Sequence, residues 1–250
     1  MTEKPKRTAG TKTGGKQMRT STRITRISNR SNREDGDITK ARIIDAAGQL
    51  CADNGYPEVT SKEICEAAGT NLAAVNYHFG SREGLYCAVL KTMHDFITSP
   101  NFLSDLEKSD ISPKEKLSQL LNRLTHMIYE NDSWQVRLWV REMVSPTGIG
   151  LRAMDENVIP NFGLMHRLLR QLTGLEDDSP LLEMIFLHAM SPIMVMMLMK
   201  NTRHKRQLKI LTMNFTQLSE DLQELVFSGL DAFAKKKICK KEMTAMESST

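Results

Sequence analysis

The stretch Val59–Leu85, VTSKEICEAAGTNLAAVNYHFGSREGL, decides the fold. It holds two short helical patterns separated by a turn at Gly69. Thr60 or Ser61 can cap the first, its hydroxyl oxygen accepting a backbone N–H left free in the opening turn. Ser61 is followed three residues later by Ile64, so no capping box is expected there. Glu63 still sets an anion near the positive end of that helix. Ile64, Ala67 and Ala68 lie at helical spacing and are expected to face a core. Gly69 supplies the left-handed backbone that ends a helix at little cost. Asn71 then caps a second helix running through Phe79, with Leu72, Val75 and Phe79 on one face. Two helices joined by a short glycine-containing turn form a helix-turn-helix, whose second helix enters the DNA major groove.

The neighbours extend this unit on both sides. A preceding helix is expected from Ile38 or Thr39 to about Asn54, with Ile43, Ala46, Ala47, Leu50 and Cys51 as its apolar stripe. Asn54-Gly55 stops it, and Tyr56 should pack back onto the three-helix core. Downstream, Gly80-Ser81-Arg82 breaks the chain and Ser81 caps a fourth helix. Leu85, Tyr86, Val89, Leu90, Met93 and Phe96 form its apolar face, and Ser99-Pro100 ends it.

The run AAVNYHFGSREGLY resembles the recognition helix and following turn of TetR/AcrR-type transcriptional regulators. The likeness reaches back through TKARIIDAAGQLCADNGYPEVT, similar to that family's first helix and its glycine-aromatic turn, and covers roughly residues 38 to 90. The VNYHFGSREGLY version and the later VFSGL look most like the family's CecR-like branch. The resemblance implies an N-terminal three-helix helix-turn-helix domain followed by a larger helical domain that binds an effector and dimerises. It implies phosphate contacts from Thr60, Ser61, Lys62, Tyr77, His78 and Arg82. It sets Thr70, Leu72, Ala73 and Ala74 at the base-facing start of the recognition helix. Asn76 stands where the family often has Tyr, and could meet adenine or phosphate. With no Arg or Lys on the recognition helix to pair with guanine, readout should lean on apolar contacts, Asn and DNA shape.

Composition agrees with an all-α chain. Of 250 residues, 40% are hydrophobic and only 6% aromatic, with 16 Met; Pro and Gly are sparse after residue 36, and no alternating strand pattern recurs. The net charge of +4 hides an asymmetry. Residues 1 to 33 carry ten Lys or Arg against one acid, so the remainder has 24 basic and 29 acidic residues, a balance of −5. Residues 1–36 lack apolar periodicity and are expected to be a disordered basic tail, either an arm that follows DNA phosphate or a solubilising segment. The domain division expected from the sequence is 1–36 tail, 37–98 DNA-binding domain, 99–238 ligand-binding and dimerisation domain, and 239–250 a frayed end.

The second domain opens near Pro113. Leu117, Leu120, Leu121, Leu124, Met127 and Ile128 mark an amphipathic helix there; residues 101–110 before it read as a polar connection. A helix carrying Trp134, Arg137, Leu138, Arg141 and Glu142 follows, ending at Pro146-Thr147-Gly148. A third pattern runs from about Leu151 to Leu172, bent near Pro160. Leu181–Met199, LLEMIFLHAMSPIMVMMLM, is long enough for a membrane span. Glu183, His188, Ser191 and Pro192 favour a buried or dimer-facing helix instead. The last helix is expected over about Leu218–Lys236. The family resemblance assigns dimerisation to these last two helices, and the Met residues at 190, 194, 196, 197 and 199 suit an adaptable apolar surface or pocket. His126, Trp134, Arg137, Trp139, Arg141, Glu142, His166 and His188 are the effector-facing candidates.

No nucleotide-binding glycine loop, Gly-x-Ser-x-Gly or paired-histidine metal motif is present, so neither enzyme chemistry, a cofactor nor a metal is expected. Cys51, Cys65, Cys87 and Cys239 include no Cys-x-x-Cys pair; the first three are expected to pack as small hydrophobes in a reducing cytoplasm. The function expected is a ligand-responsive repressor. It would bind a palindromic double-stranded operator as a homodimer and be released by a small apolar or amphipathic effector, with no membrane involved.

Overall fold

The structure, a computed structural model, describes residues 20–130, 132–157, 159–176, 179–200 and 209–247. Among these residues every regular element is helical. By its contacts the chain divides into two units, Met1–Arg42 and Ile43–Thr250.

The first unit contributes the start of helix α1 (Thr20–Asn54). This helix begins well before Ile38, so residues 20–36 are helical backbone rather than the disordered tail expected from their composition; residues 1–19 lie outside the described residues. The physical reason lies in what is missing: residues 16–35 contain neither Gly nor Pro to break a helix once it has started.

The second unit starts with the rest of α1. Its Ile43, Ala47 and Cys51 are buried, with Ala46 and Leu50 half-buried beside them. A short 3-10 turn, Tyr56–Glu58, leads to α2 (Ser61–Ala68) and α3 (Leu72–Phe79). Gly69 takes φ 59, ψ 43 and ends α2, as its position after the apolar run predicts. Ala67 is exposed and Cys65 takes its place in the core beside Ile64 and Ala68. A capping box is present after all. Thr60, not Ser61, is the N-cap: its hydroxyl accepts from the Glu63 N–H, and the Glu63 carboxylate accepts from the Thr60 N–H at 2.8 Å. The Thr60 N–H and hydroxyl, both donating to that carboxylate at 2.8 Å, hold the Glu63 carboxyl below its ordinary pKa.

α4 (Arg82–Thr98) is capped by Ser81 as expected, and packs on α3. Leu85, Tyr86, Val89, Leu90 and Met93 are fully buried along it. Cys87, expected to pack inside, is exposed on its outer side. Ser99 adopts φ 46 and Pro100 opens α5 (Pro100–Lys108), where the sequence suggested only a polar connection. Proline both stops one helix and starts the next, and Leu106 buries beneath it.

α6 (Pro113–Glu130), α7 (Trp134–Val144), α8 (Gly148–Asn157), α9 (Ile159–Thr173), α10 (Pro180–Lys200) and α11 (Phe215–Glu247) complete the bundle. α4 packs on α7 and α8, while α6 packs on α9, α10 and α11. The pattern over 151–172 is two helices rather than one bent helix, and position 158 between them lies outside the described residues. Residues 201–208 also lie outside the described residues. The last helix continues to Glu247, past the expected Lys236, because no Gly or Pro follows Gly229. By length and composition Pro180–Lys200 is apolar enough to cross a membrane. Its Leu182, Ile185, Ala189, Ile193 and Met197 are nevertheless buried in the bundle.

His94 is buried in α4 with no hydrogen-bond partner for Nδ1, and burial holds its pKa below the ordinary value of 6.5. The unfolded chain therefore takes up a proton first as pH falls, and stability declines below that value. Thermal melts from pH 7 to pH 5.5 should show a falling Tm, and H94F should lessen the fall. An additional methyl at Gly48 would lie 2.6 Å from the Trp134 ring. Gly48→Ala should cost about 1–3 kcal/mol in urea unfolding.

Candidate nucleic-acid interface and effector pocket

α3 is anchored by one face and open on the other. Val75 is buried and Phe79 and Ala74 pack against the core. Asn71 caps the helix, accepting from the Ala74 N–H at 3.0 Å. Leu72 is 52% exposed and Tyr77 84% exposed, with Ala73 and Asn76 also turned outward. His78 is half-buried, its ring edge-on to Tyr77 at 5.0 Å. An exposed Leu and Tyr on a short, well-anchored helix form a contact surface rather than core. Leu72 thus leaves the apolar face the sequence assigned it and joins the outer one.

At the start of α2 the expected phosphate-contacting residues separate. The Thr60 hydroxyl and N–H are both engaged with Glu63. Lys62 is exposed, with Glu66 at 3.8 Å, and Ser61 is half-buried. Thr70 is half-buried, and its N–H donates to the Cys65 carbonyl at 2.9 Å. Arg82 is half-buried and folded back on the chain. Its guanidinium lies 4.4 Å from the centre of the Tyr56 ring and donates to the Tyr56 carbonyl. Arg82 thereby fixes the turn between α1 and α2.

From Arg82 a row of contacts runs inward. Tyr56 stacks on Tyr86 with centroids 4.1 Å apart. The Tyr86 hydroxyl donates to Glu142 Oε1 at 2.6 Å. Glu142 Oε2 accepts from the N–H and the hydroxyl of Thr147, both at 3.0 Å, at the head of α8. Burial first, then the bond to Glu142, push the Tyr86 phenol far above its ordinary pKa. The proton therefore stays on Tyr86, which donates to the Glu142 carboxyl group.

Three of the effector candidates join a second row. The Trp134 indole N–H donates to Asp45 at 2.8 Å, Arg137 lies 3.3 Å from Asp53, and Arg141 donates to the carbonyls of Ala52 and Asp53 at 3.1 and 2.8 Å. They fasten α7 to the end of α1. Nothing local in the sequence pairs Asp45 with a tryptophan 89 residues away. His166 stacks on Phe186 at 4.7 Å, His188 lies against Gly229, and His126 stands edge-on to Phe215 at 5.0 Å.

The bundle's apolar pocket lies elsewhere. Leu120, Leu124, Met127, Met165, Met190 and Met197 line it, with Trp139 and Arg123 also in its wall. Of the expected effector residues only Trp139 faces it; His126 lines an adjoining, more polar cleft with Gln119, Asn122 and Arg123. The C-terminal end of α4, Ile97 and Thr98, forms part of the pocket wall. The Met cluster was a usable signal. Arg123, a charge beside the Leu120–Leu124–Met127 stripe, was a second signal that went unread.

Residues 43–89 match the model for bacterial regulatory proteins of the tetR family. Residues 113–226 match the C-terminal domain of the HTH-type transcriptional dual regulator CecR. The chain belongs to the TetR family. The protein is a DNA-binding transcriptional regulator, and α3 lies within the matched segment. CecR of Shigella flexneri is 25% identical over 154 residues, which are 57% of this chain and 68% of that one. Among solved structures, FadR of Bacillus subtilis in complex with stearoyl-CoA superposes with TM-score 0.59 at 18% identity, covering 76% of this chain and 98% of that one. AibR in complex with isovaleryl coenzyme A and operator DNA gives 0.54 at 17%, covering 74% and 96%. At these identities the structures establish the shared fold of a TetR-family regulator.

Tyr86→Phe removes the proton donated to the buried Glu142 and should cost about 1–3 kcal/mol in urea unfolding. An unchanged unfolding midpoint would remove the Glu142 contact from the account.

Proposed function

We propose that this protein is a ligand-responsive repressor. As a homodimer it would bind a palindromic operator through α3 and leave it when a small apolar or amphipathic effector enters the pocket beside α6 and α10. The observation that carries the reading is the pairing of an open, anchored α3 with an apolar pocket at the far end of α4. That helix of 17 residues is about 26 Å long. Its first turn stands behind α3 and its last turn walls the pocket.

On this reading Leu72, Ala73 and Ala74 approach base edges, where small and apolar groups suit thymine methyls. Ser61, Lys62, Tyr77 and His78 hold phosphate; Asn76 stands between the two tasks, and Thr70 sits at the head of the helix. Thr60 and Arg82 act by holding α2 and the α1–α2 turn in place. α10 and α11 expose Met184, Leu187, Val195, Leu198 and Leu225, apolar side chains of the kind a second copy covers. A two-fold pair would present two α3 helices to half-sites about one DNA turn apart. The FadR and AibR structures carry acyl-CoA thioesters, which supports an amphipathic effector here. A protein that acts on the chromosome of a bacterium works in the cytoplasm.

Effector binding releases DNA only to the extent that it favours one arrangement of α4 over the other. A coupling of about 1–3 kcal/mol is ordinary for such proteins.

Selection of bound duplexes from random sequence by the purified protein should enrich an inverted repeat. Recovery of unrelated sequences would overturn the reading. On the enriched site, Tyr77→Ala with His78→Ala should weaken binding about 10- to 100-fold, at about 1–3 kcal/mol for the pair. Removing residues 1–33 should weaken all duplexes alike and leave the preference for the inverted repeat.

A further inference from the structure

The pocket beside α6 and α10 is apolar except for donors that have no acceptor. Trp139 is 5% exposed and its indole N–H meets no acceptor. Arg123 Nε is buried and equally unmatched. Among the described residues no carboxylate pairs with the Arg123 guanidinium, whose near neighbour is the Phe102 ring at 5.0 Å. Thr98, the hydroxyl in the wall, already donates to the His94 carbonyl at 2.8 Å. The wall therefore offers N–H groups and a positive charge and presents no anion. Leaving the buried Arg123 Nε–H and Trp139 N–H uncompensated costs free energy, and native interiors seldom tolerate it where nothing else supplies the acceptor.

Arg123 also stands at a partition. It borders both the inner pocket of Leu and Met side chains and the adjoining cleft lined by Gln119, Asn122 and His126. A molecule with its apolar part inside and its head at Arg123 would have a greasy, adaptable wall along its body and polar groups around its head.

We propose that the effector is an anionic amphiphile whose carboxylate pairs with Arg123 while its apolar body lies among Leu120, Leu124, Met127, Met165 and Met190. The assignment rests on reading this pocket as the effector site; it adds the charge and the shape of what enters. The unmatched Trp139 N–H marks the same wall as built around oxygen-bearing matter rather than closed upon itself. Arginine suits a carboxylate better than lysine would, because its planar fork can donate two parallel hydrogen bonds.

The test uses the full-length protein and two probes of equal chain length, decanoate and 1-decanol, titrated by calorimetry. Wild type should bind decanoate at least tenfold more tightly than decanol. Arg123→Met keeps the side-chain bulk, removes the charge and should bring the two affinities together without changing decanol binding. Arg123→Lys should keep a reduced preference for decanoate, and thermal melts of both variants report that they fold. Equal affinity of wild type for the two probes, a preference that survives in R123M, or binding of neither probe would each overturn the proposal. Operator affinity, measured on the same samples without probe, keeps this outcome separate. A protein that holds its operator but ignores the charge of the probe is still a regulator, with a different effector.

Discussion

A buried carboxylate, Glu142, is the constraint on which the rest of the molecule depends. A polar group can stay inside a protein at little cost only if hydrogen bonds replace those it made to water. Glu142 obtains them from three directions: the Tyr86 hydroxyl on α4 and the N–H and hydroxyl of Thr147 before α8. Those elements are thereby held to one geometry around one side chain. The Tyr56–Tyr86 stack and the Arg82 guanidinium over Tyr56 extend the same network to the turn in front of α2. The turn in front of α2 is therefore held partly by a residue of the larger bundle.

This arrangement explains why the strongest polar residues of α7 do not line the pocket. Trp134, Arg137 and Arg141 are spent on Asp45, Asp53 and the last carbonyls of α1. Cationic side chains at a helix C-terminus satisfy its free carbonyls and suit its negative end. The pocket is left to Leu and Met from α6, α9 and α10, with Arg123 and Trp139 as its polar exceptions. α4 touches both regions. Its N-terminal turn is tied into the Arg82–Tyr56 contact and its C-terminal turn walls the pocket, so a change at one end has a continuous packed path to the other.

Much of the DNA-binding end could be read from the sequence because its signals are local. Gly69, Asn71 and Ser81 each act within four residues, and each forms the cap or turn its spacing implies. The capping box does not show when Ser61 is taken as the cap, since Ile64 stands three residues on; it shows only from Thr60, whose partner is Glu63. The effector end was less legible. A helix pattern shows which residues face inward, but not which helix they meet, and Trp134 resembles a ligand contact until Asp45 is found beside it. Helix ends differ from the expectation where composition stood in for breakers: 20–35 and 237–247 are polar, yet neither holds a Gly or Pro to stop a helix.

The claim at the centre is that the outer face of α3 lies against duplex DNA. A photoreactive benzoylphenylalanine at position 77 tests it most directly, with a second variant carrying the same group at the exposed position 171 on α9 as control. On irradiation with the selected operator, position 77 should cross-link to the duplex and position 171 should not. Cross-linking from 171 with none from 77 would contradict the account and move the DNA to the other end of the molecule.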